Sequence, residues 1–345
     1  MERPRDAAES RAILSERKVR AVGLLSGGLD SILACRMMLE MGIEVMAVNF
    51  TSPFCTCTAK GCRHQATRVA EELGIALKVM PTGQEYIEMV KHPKHGRGKG
   101  MNPCIDCRIF TFRRAARYAQ EIGAEFVFSG EVLGERPMSQ HLRAMLLIEE
   151  ESGLKGRLLR PLSARLLEPT IPERAGLVDR AKLLAIQGRS RRPQMELARS
   201  YGQNDYPCPA GGCLLTDRQF AARLRDAFAH GEDTLRDMQF LKLGRHFRLN
   251  DGAKVIIGRN EAENNALRHL AGPQELLLEP DGCVGPVTVV KGGSRADVPL
   301  AAEMTARYCD RNPVGPVRIR HGQEVLEVEP MSDEGLARLR VQDSR

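Results

Sequence analysis

Short apolar runs alternate with helical stretches along the first part of the chain. The apolar runs predict strands at residues 19–25, 43–50, 75–80 and 125–128, and the stretches between them predict helices at 29–41, 63–73 and 106–122. Strands that alternate with helices are typical of βαβ units, so the pattern predicts an α/β fold with a doubly wound parallel sheet. Ligands of such sheets bind beyond the carboxyl ends of the strands, so we expect the loops after these strands to converge.

The pattern changes after residue 240 to short β-like runs with two helices between them. The predicted strands are 254–257, 275–278, 287–290, 317–320 and 325–328, and the predicted helices are 261–270 and 297–308. This mixture predicts a separate, smaller α+β domain. The expected organisation is a mobile tail at 1–18, an α/β domain at 19–200, a helical connector with a cysteine loop at 201–240, the α+β domain at 241–332 and a tail at 333–345.

The first predicted strand runs directly into a loop that suits phosphate. Two glycines between a strand and a helix direct several backbone N–H groups at one point, where the positive end of the helix favours an anion. Two serine hydroxyls add polar contacts, and the carboxylate of Asp30 is placed to hold Mg²⁺. The sequence matches neither GxxxxGK[ST] nor GxGxxG. The candidate nucleotide-binding residues are Ser26, Gly27, Gly28, Leu29, Asp30, Ser31 and, after the fourth predicted strand, Gly130.

This Ser-Gly-Gly-Leu-Asp-Ser loop resembles the pyrophosphate loop of the N-type PP-loop ATP pyrophosphatases, which split ATP between the α and β phosphates. The resemblance implies an adenine nucleotide alpha hydrolase-like, Rossmann-like fold with ATP and Mg²⁺ as ligands. A strand-to-helix turn without a ligand is the alternative. Gly130 and Glu131 are expected at the sheet edge facing the nucleotide, with Arg136 near a phosphate. The alternative for Glu131 is a helix cap.

Composition limits the class of protein. The longest apolar runs have strand length, and the first twenty residues contain no apolar signal segment. We therefore expect a cytoplasmic protein without a membrane anchor. A net charge of +7 suits a polyanionic partner without requiring one. Ten cysteines in a cytosolic chain favour metal, cluster or redox chemistry over disulfides.

A C-x2-C pair, Cys104 and Cys107, opens the predicted helix after Asn102 and Pro103. The helix dipole at this position favours the thiolate. Thioredoxin-type redox chemistry and a zinc half-site are both compatible with the pair alone. The segment also resembles the NPDxxCN segment of the bacterial tRNA 2-thiouridine synthases. That resemblance implies that Cys107 is a catalytic cysteine, while Cys104 stands where the family has an aspartate.

The second thiol in place of the aspartate predicts a [4Fe-4S] cluster. Gly212 to Leu215 resembles the family segment with the second catalytic cysteine, which implies that Cys213 is catalytic and is the third cluster ligand. The expected cluster ligands are Cys104, Cys107 and Cys213, with Cys208 as an alternate. Sulfur would arrive on the open iron of this cluster or as a persulfide on Cys107 or Cys213. We favour the cluster.

A second group of candidate metal ligands follows the second predicted strand. Its members are Cys55, Cys57, Cys62 and His64. Three thiolates and an imidazole favour a structural zinc site, although the first spacing is shorter than usual. Persulfide delivery, a second cluster and an unligated loop are the alternatives. The isolated Cys35, Cys283 and Cys309 are expected to be small buried hydrophobic residues.

Basic segments and the second domain indicate a nucleic-acid partner. Residues 84–101 predict a flexible basic loop, and the arginines at 189–199 are compatible with RNA contact or with a solvated face. Residues 256–264 and the helix around 301–302 resemble the RNA-binding domain of NFACT proteins.

Together the resemblances imply an ATP-dependent tRNA sulfurtransferase that adenylates a base carbonyl, with Asp30, Cys107 and Cys213 as its catalytic residues. Its partners would be tRNA and a sulfur donor, which would be a cysteine desulfurase, a relay protein or sulfide. Sulfur insertion or amidation on a small molecule is the first alternative. A non-catalytic RNA-binding factor that holds ATP is the second.

Overall fold

A computed structural model describes residues 18–55, 62–203, 213–310 and 315–342. The chain divides into two compact units. The first comprises residues up to Gly98 and Asn102–Cys213, and the second comprises Lys99–Met101 and the chain from Leu214. No helix in the described ranges is long and apolar enough to cross a membrane.

The first unit contains a five-stranded sheet in which every pairing is parallel, in the order β3-β2-β1-β4-β5. Its strands are β1 (Arg20–Leu24), β2 (Glu44–Thr51), β3 (Ala76–Pro81), β4 (Phe126–Ser129) and β5 (Leu158–Leu159). The predicted parallel α/β fold is confirmed, and the ends of the first four strands lie within one residue of the predicted ends. The two-residue strand β5 was not predicted.

Seven α-helices of the described chain belong to this unit. They are α1 (Leu29–Glu40), α2 (Cys62–Leu73), α3 (Gly83–Lys91), α4 (Cys104–Glu121), α5 (Leu142–Ser152), α6 (Ile171–Arg174) and α7 (Arg192–Ser200). The prediction of a flexible basic loop at 84–101 was wrong for its first half. Residues 83–91 form α3 because Tyr86, Ile87 and Val90 share one buried face.

Hydrophobic layers cover both faces of the parallel sheet. Ala21 of β1 packs into a core that α1 supplies with Ile32 and Leu33. The next residue, Val22, packs on the opposite face against Phe112 of α4. Adjacent residues of a strand point to opposite faces, so a strand buried on both sides is apolar throughout. This burial explains why the continuous apolar run of β1 predicted a strand correctly.

The second unit contains a six-stranded antiparallel sheet in the order β11-β10-β8-β9-β7-β6. Its strands are β6 (Arg245–Arg248), β7 (Lys254–Ile257), β8 (Leu276–Pro280), β9 (Thr288–Lys291), β10 (Val317–His321) and β11 (Glu324–Val328). Its α-helices in the described chain are α8 (Arg218–Ala229), α9 (Leu235–Phe240), α10 (Glu261–Leu270), α11 (Val298–Ala306) and α12 (Asp333–Leu339). The predicted α+β domain is confirmed, and β6 is an additional strand.

A buried charge network attaches α8 to the antiparallel sheet. The Nζ of Lys254, a side chain that is 1% exposed, lies 2.8 Å from Asp226 and 3.0 Å from Glu232. Arg248 contacts the same two carboxylates at 2.6 and 2.9 Å. Burial raises the pKa of Asp226, but the bonds from Arg248 and Lys254 outweigh it and leave the pKa below its ordinary value. Every charge of this network therefore has an opposite partner.

Candidate active site at the edge of the parallel sheet

The predicted nucleotide-binding residues form one turn between β1 and α1. Gly27 has a φ of 81°, a left-handed conformation that favours glycine. Gly28 occupies the N-cap of α1 in an extended conformation, without a side chain that could satisfy the N–H groups of the first turn. The Ser31 hydroxyl donates to the Gly28 carbonyl at 2.7 Å and lies 3.2 Å from the Ser26 hydroxyl. The turn therefore presents N–H groups and two hydroxyls together.

Gly130 packs directly against this turn from the end of β4. A Cβ atom at Gly130 would lie 2.4 Å from the backbone carbonyl of Asp30 and 2.6 Å from the backbone nitrogen of Ser31. Real Cβ atoms do not approach backbone so closely, so only glycine fits here without a shift of one segment. The predicted position of Gly130 at the sheet edge agrees with this contact.

Asp30 is largely buried beside two arginines. One of its carboxylate oxygens lies 3.5 Å from Arg191, while Oδ1 is buried without a hydrogen-bond partner in the described part of the chain. Burial raises the pKa of Asp30, and the charges of Arg191 and Arg136 only partly oppose the rise. A buried carboxylate oxygen with no partner fits a hard cation such as Mg²⁺.

Arg191 is a site residue that the sequence did not single out. Its segment was interpreted as an RNA contact or a solvated face, but the structure places its guanidinium at Asp30, with Nε buried and unpartnered among the described residues. No local motif connects two residues that are so distant along the chain. The only available signal was the density of arginines in residues 189–199.

The C-x2-C pair begins α4, and each sulfur has its own hydrogen-bond donor. The Tyr86 hydroxyl donates to Cys107 Sγ at 3.0 Å, and the Asn102 amide donates to Cys104 Sγ at 3.2 Å. Burial raises the pKa of Cys107, whereas the Arg108 charge and the Tyr86 hydrogen bond act in the opposite direction. The pKa remains above its ordinary value, so the thiolate of Cys107 needs a further positive charge or a bound ligand to form readily.

Two more cysteines lie near Tyr86. Cys55, after β2, and Cys213 form an isolated antiparallel β-bridge within the first unit. The pKa of Tyr86 is raised well above its ordinary range by burial first, then by Cys107, and also by the charges of Cys213 and Cys55. Among the described residues, no disulfide joins these cysteines or Cys104. The structure thus brings the predicted catalytic residues Cys107 and Cys213 to one neighbourhood.

The predicted metal centres are not supported. In residues 18–55, 62–203, 213–310 and 315–342, no three cysteine, histidine or acidic side chains come close enough to hold a metal ion. The Cys104 and Cys107 sulfurs each accept a hydrogen bond from a different side chain, and the described residues contain no preformed ligand set for the [4Fe-4S] cluster with Cys213. His64 is exposed, and the predicted zinc site stays a prediction because not all of its four residues are described. Cys57, the alternate ligand Cys208 and the Cys62 side chain lie outside the described part.

Asp106, between the two cysteines of the pair, holds the basic loop. Its carboxylate accepts hydrogen bonds from the backbone nitrogens of Lys94 at 3.2 Å and His95 at 3.0 Å. The side chains of Lys94 and His95 both contact Glu151, at 2.7 and 3.0 Å. Backbone and side-chain contacts together fix this segment, so it is an ordered part of the first unit.

Glu131 joins the cysteine helix to the loop after β4. Its carboxylate is 3.0 Å from Arg160 and 3.2 Å from Arg108, the residue after Cys107. Arg160 is 1% exposed and also pairs with Glu149. The prediction that Glu131 faces the nucleotide was wrong, because its side chain is buried in this ion network. The network links Arg108, the residue after Cys107, to Glu131, the residue after Gly130.

The remaining cysteines divide by exposure. Cys35 and Cys309 are buried, as predicted, with 0% and 6% of their surface exposed. Cys283 is exposed, so its predicted burial was wrong. It follows strand β8 in a turn, and turns run over the surface.

Comparison with known families divides the chain in the same two parts. Residues 17–166 match the family described as thiamine biosynthesis protein (ThiI). Residues 244–340 match the NFACT protein RNA binding domain. The first match covers the phosphate loop and the C-x2-C pair, and the second covers the antiparallel sheet.

Curated relatives match over a limited share of the chain. A tRNA-specific 2-thiouridylase MnmA of Syntrophotalea carbinolica is 30% identical over 125 residues, which are 34% of this chain and 36% of the relative. A probable tRNA sulfurtransferase of Thermococcus kodakarensis is 31% identical over 143 residues, which are 41% of this chain and 36% of the relative. The chain thus spans about a third of the length of the curated relatives that it matches.

Solved structures give partial likenesses. A 4-thiouridine synthetase in complex with RNA and ATP shares 26% identity with a TM-score of 0.36, over 56% of this chain and 45% of that one. The C-terminal part of a fibronectin/fibrinogen-binding protein from Streptococcus suis shares 13% identity with a TM-score of 0.27, over 44% of this chain and 76% of that one. From the two family matches, this chain joins a domain of the ThiI family to a carboxyl-terminal domain of the NFACT RNA-binding family.

Proposed function

We propose that this protein is an ATP-dependent tRNA sulfurtransferase, which adenylates a base carbonyl and replaces its oxygen with sulfur. One observation carries the proposal: the phosphate turn and a reactive type of thiol share one electrostatic environment. Burial raises the pKa of both Asp30 and Cys107, and the charge of Arg136 acts against the rise at each residue. The contact of Gly130 with Asp30 and the Glu131 ion pair with Arg108 connect the two through adjacent residues.

The first step uses the residues of the turn. The N–H groups at the start of α1, with the hydroxyls of Ser26 and Ser31, bind the phosphates of ATP at the positive end of the helix. Asp30 would hold Mg²⁺, which, when bound, neutralises charge on the phosphate oxygens. The base carbonyl oxygen attacks the α-phosphorus and the bond to the β-phosphate breaks. Arg191 then stabilises the charge of the departing pyrophosphate.

The second step needs a sulfur nucleophile. A persulfide on Cys107 or Cys213 attacks the carbon that carries the adenylated oxygen, and AMP leaves with that oxygen. The persulfide route is supported by the exposed Cys213 and by Cys107, which both act on the side chain of Tyr86. A cysteine desulfurase, a relay protein or sulfide with an oxidant would load the sulfur. The second unit, through its NFACT family match, supplies a surface for tRNA.

Release of AMP and pyrophosphate from ATP, with and without bulk tRNA under anaerobic conditions, tests the proposal. We expect tRNA to stimulate the release, and Asp30→Asn to lower it by about 100-fold or more. Asp179→Asn is the matched control, because this exposed aspartate caps a short helix and asparagine caps equally well. Mass spectrometry of tRNA nucleosides from strains with and without the gene would identify the thiolated base.

Three outcomes would overturn parts of the proposal. AMP formation that depends on a metabolite and not on tRNA would mean sulfur insertion or amidation on a small molecule. Binding of ATP without cleavage in the presence of tRNA would mean a non-catalytic RNA-binding factor. Full activity of Asp30→Asn would remove the assigned role of the turn.

A further inference from the structure

Cys283 and Cys309 lie side by side in the second unit, where the turn after β8 meets the segment after α11. The backbone nitrogen of Asp310 donates to the carbonyl of Val284 at 2.8 Å, and each of these two residues directly follows one of the cysteines. A Cβ atom at Gly285 would lie 2.7 Å from Cys309 Sγ and 3.1 Å from its Cα. The turn therefore packs directly on Cys309, and a hydrogen bond joins the two thiols.

The two thiols differ in their access to solvent. Cys283 is exposed, whereas Cys309 is 6% exposed and its Sγ lies 3.7 Å from the carbonyl oxygen of Thr305. Both thiols are reduced in the structure. A disulfide spans Cα atoms about 4.4–6.8 Å apart, and two sulfurs that already share a hydrogen bond on contacting backbone segments can reach this geometry with a small shift.

Their environments give the two thiols different roles in oxidation. Burial raises the pKa of Cys309 to about 12, and the charge of Cys283 and the hydrogen bond with it add to the rise. The thiolate is the reactive form of a cysteine, so Cys309 reacts slowly with an oxidant, while Cys283 is open to it. Oxidation of Cys283 to a neutral sulfenic acid removes the charge that opposes ionisation of Cys309. Reaction at Cys283 therefore makes Cys309 a better nucleophile.

We propose that Cys283 is a site of oxidative modification by hydroperoxides, and that Cys309 resolves the modified thiol by forming a Cys283–Cys309 disulfide. This inference goes beyond the proposed function and does not depend on it, because both cysteines belong to the second unit. The disulfide ties the turn between β8 and β9 to the segment after α11. It thereby encloses β9 and α11 in one covalent loop.

The chemistry balances in two steps. The thiolate of Cys283 attacks one oxygen of the hydroperoxide, the O–O bond breaks, and the other oxygen leaves with the electron pair and takes up a proton. Cys283 is then a sulfenic acid. The thiol of Cys309 loses its proton and attacks Cys283 Sγ, the S–O bond breaks, and hydroxide leaves and is protonated to water. Two thiols lose two electrons in total, and the hydroperoxide gains them.

Oxidation followed by mass spectrometry tests the pairing. The reduced full-length protein is titrated with hydrogen peroxide, denatured, alkylated, digested and mapped without reduction. In the wild type we expect the Cys283–Cys309 peptide, and in Cys283→Ser we expect Cys309 to stay reduced. In Cys309→Ala, which keeps a small apolar side chain at this buried position, we expect Cys283 to accumulate as a sulfenic acid that dimedone traps.

Two results of this titration would overturn the proposal. The first is sulfenic or sulfinic acid at Cys283 of the wild type together with a reduced Cys309, because that would mean that Cys309 does not resolve the modified thiol. The second is a Cys283 that stays reduced throughout the titration, because that would mean that exposure does not make this thiol reactive.

Hydrogen exchange tests whether the disulfide secures this part of the second unit. We expect exchange of the β9 and α11 peptides to be about tenfold or more slower in the oxidised wild type, because the cross-link restricts the unfolded chain, and dithiothreitol should reverse the change. Cys283→Ser is the matched control, and its exchange should be equal before and after peroxide treatment. Equal or faster exchange in the oxidised wild type, with the disulfide present, would overturn this role.

Discussion

Two partly buried aspartates, one in each unit, have pKa values shifted in opposite directions. Asp226 in the second unit lies between Arg248 and Lys254, and its pKa is below the ordinary value of 3.8. Asp30 in the phosphate turn has a pKa above that value, with Oδ1 unpartnered among the described residues. Burial opposes ionisation at both sites, so the difference lies in the partners that the fold supplies.

The contrast separates a structural charge cluster from a binding cluster. The carboxylates around Lys254 are fully paired within the second unit, and such a network stabilises the fold only while all its members remain. The turn at Asp30 keeps a carboxylate oxygen and the Nε of Arg191 without partners in the described chain. Unpaired buried groups cost stability, and a ligand that pairs with them recovers that energy on binding.

The strongest test of this comparison breaks the paired cluster. Lys254→Met leaves Asp226 and Glu232 buried with Arg248 as their remaining partner, so we expect the second unit to lose about 3–5 kcal/mol of stability. Urea unfolding combined with hydrogen exchange of the β7 peptides measures this loss. Lys182→Met, which replaces an exposed lysine, should change neither the free energy of unfolding nor the hydrogen exchange of the β7 peptides. Equal protection of β7 in the Lys254→Met variant and the wild type would contradict the structural role.

A second test moves the turn without removing any charge. Gly130→Ala places a methyl group against the backbone of Asp30, and we expect a loss of about 1–3 kcal/mol together with loss of AMP formation. Thermal unfolding and the anaerobic AMP assay measure the two effects. Gly252→Ala, where the nearest atom would be 3.5 Å from the new Cβ, is the control. Normal activity of Gly130→Ala would mean that the two segments shift independently.

The third test removes the negative charge of Asp30, which opposes folding. Because the folded pKa of Asp30 is raised, the folded protein binds this proton more tightly than the unfolded chain, and ionisation opposes folding as the pH rises above 3.8. Asp30→Asn should therefore stabilise the first unit by about 0.5–2 kcal/mol at pH 7 while activity is lost. The gain should vanish at acidic pH, where the wild-type carboxyl is also neutral. A less stable Asp30→Asn at pH 7 would contradict the assignment.

The smallest expected effect is the acid response of the second unit. A lowered pKa means that Asp226 contributes stability above the ordinary value of 3.8, and this contribution is lost as the pH falls through its folded pKa. Hydrogen exchange of β6 and β7, corrected for intrinsic rates, should show falling protection below pH 3.8 in the wild type. In Asp226→Asn, protection from exchange should decrease less with falling pH, because this variant is already less stable at neutral pH.

Local patterns predicted most of the fold. The apolar run of β1 is buried on both faces, and the helices 29–40 and 261–270 begin and end within one residue of their predicted bounds. Helix α3 was missed because lysines, histidines and glycines after residue 90 dominate the segment, while only three buried residues define its face. Strand β5 is too short to leave a periodic signal.

The site was predictable only where its residues are neighbours in sequence. The turn at 26–31 is one motif, whereas the Asp30 contact with Arg191 and the Cys55 bridge to Cys213 join distant segments that no spacing rule relates. The metal predictions relied on cysteine spacing, which does not fix the direction of a side chain. In the structure, Asn102 and Tyr86 donate to the C-x2-C sulfurs separately.

The close packing of Gly130 against Asp30 has a consequence for protein engineering. The functional module is discontinuous, since the turn packs against a second segment about a hundred positions later in the chain. Grafting residues 26–31 onto another parallel sheet would transfer the motif but not its geometry. A successful transplant would need to carry the glycine after the neighbouring strand as well.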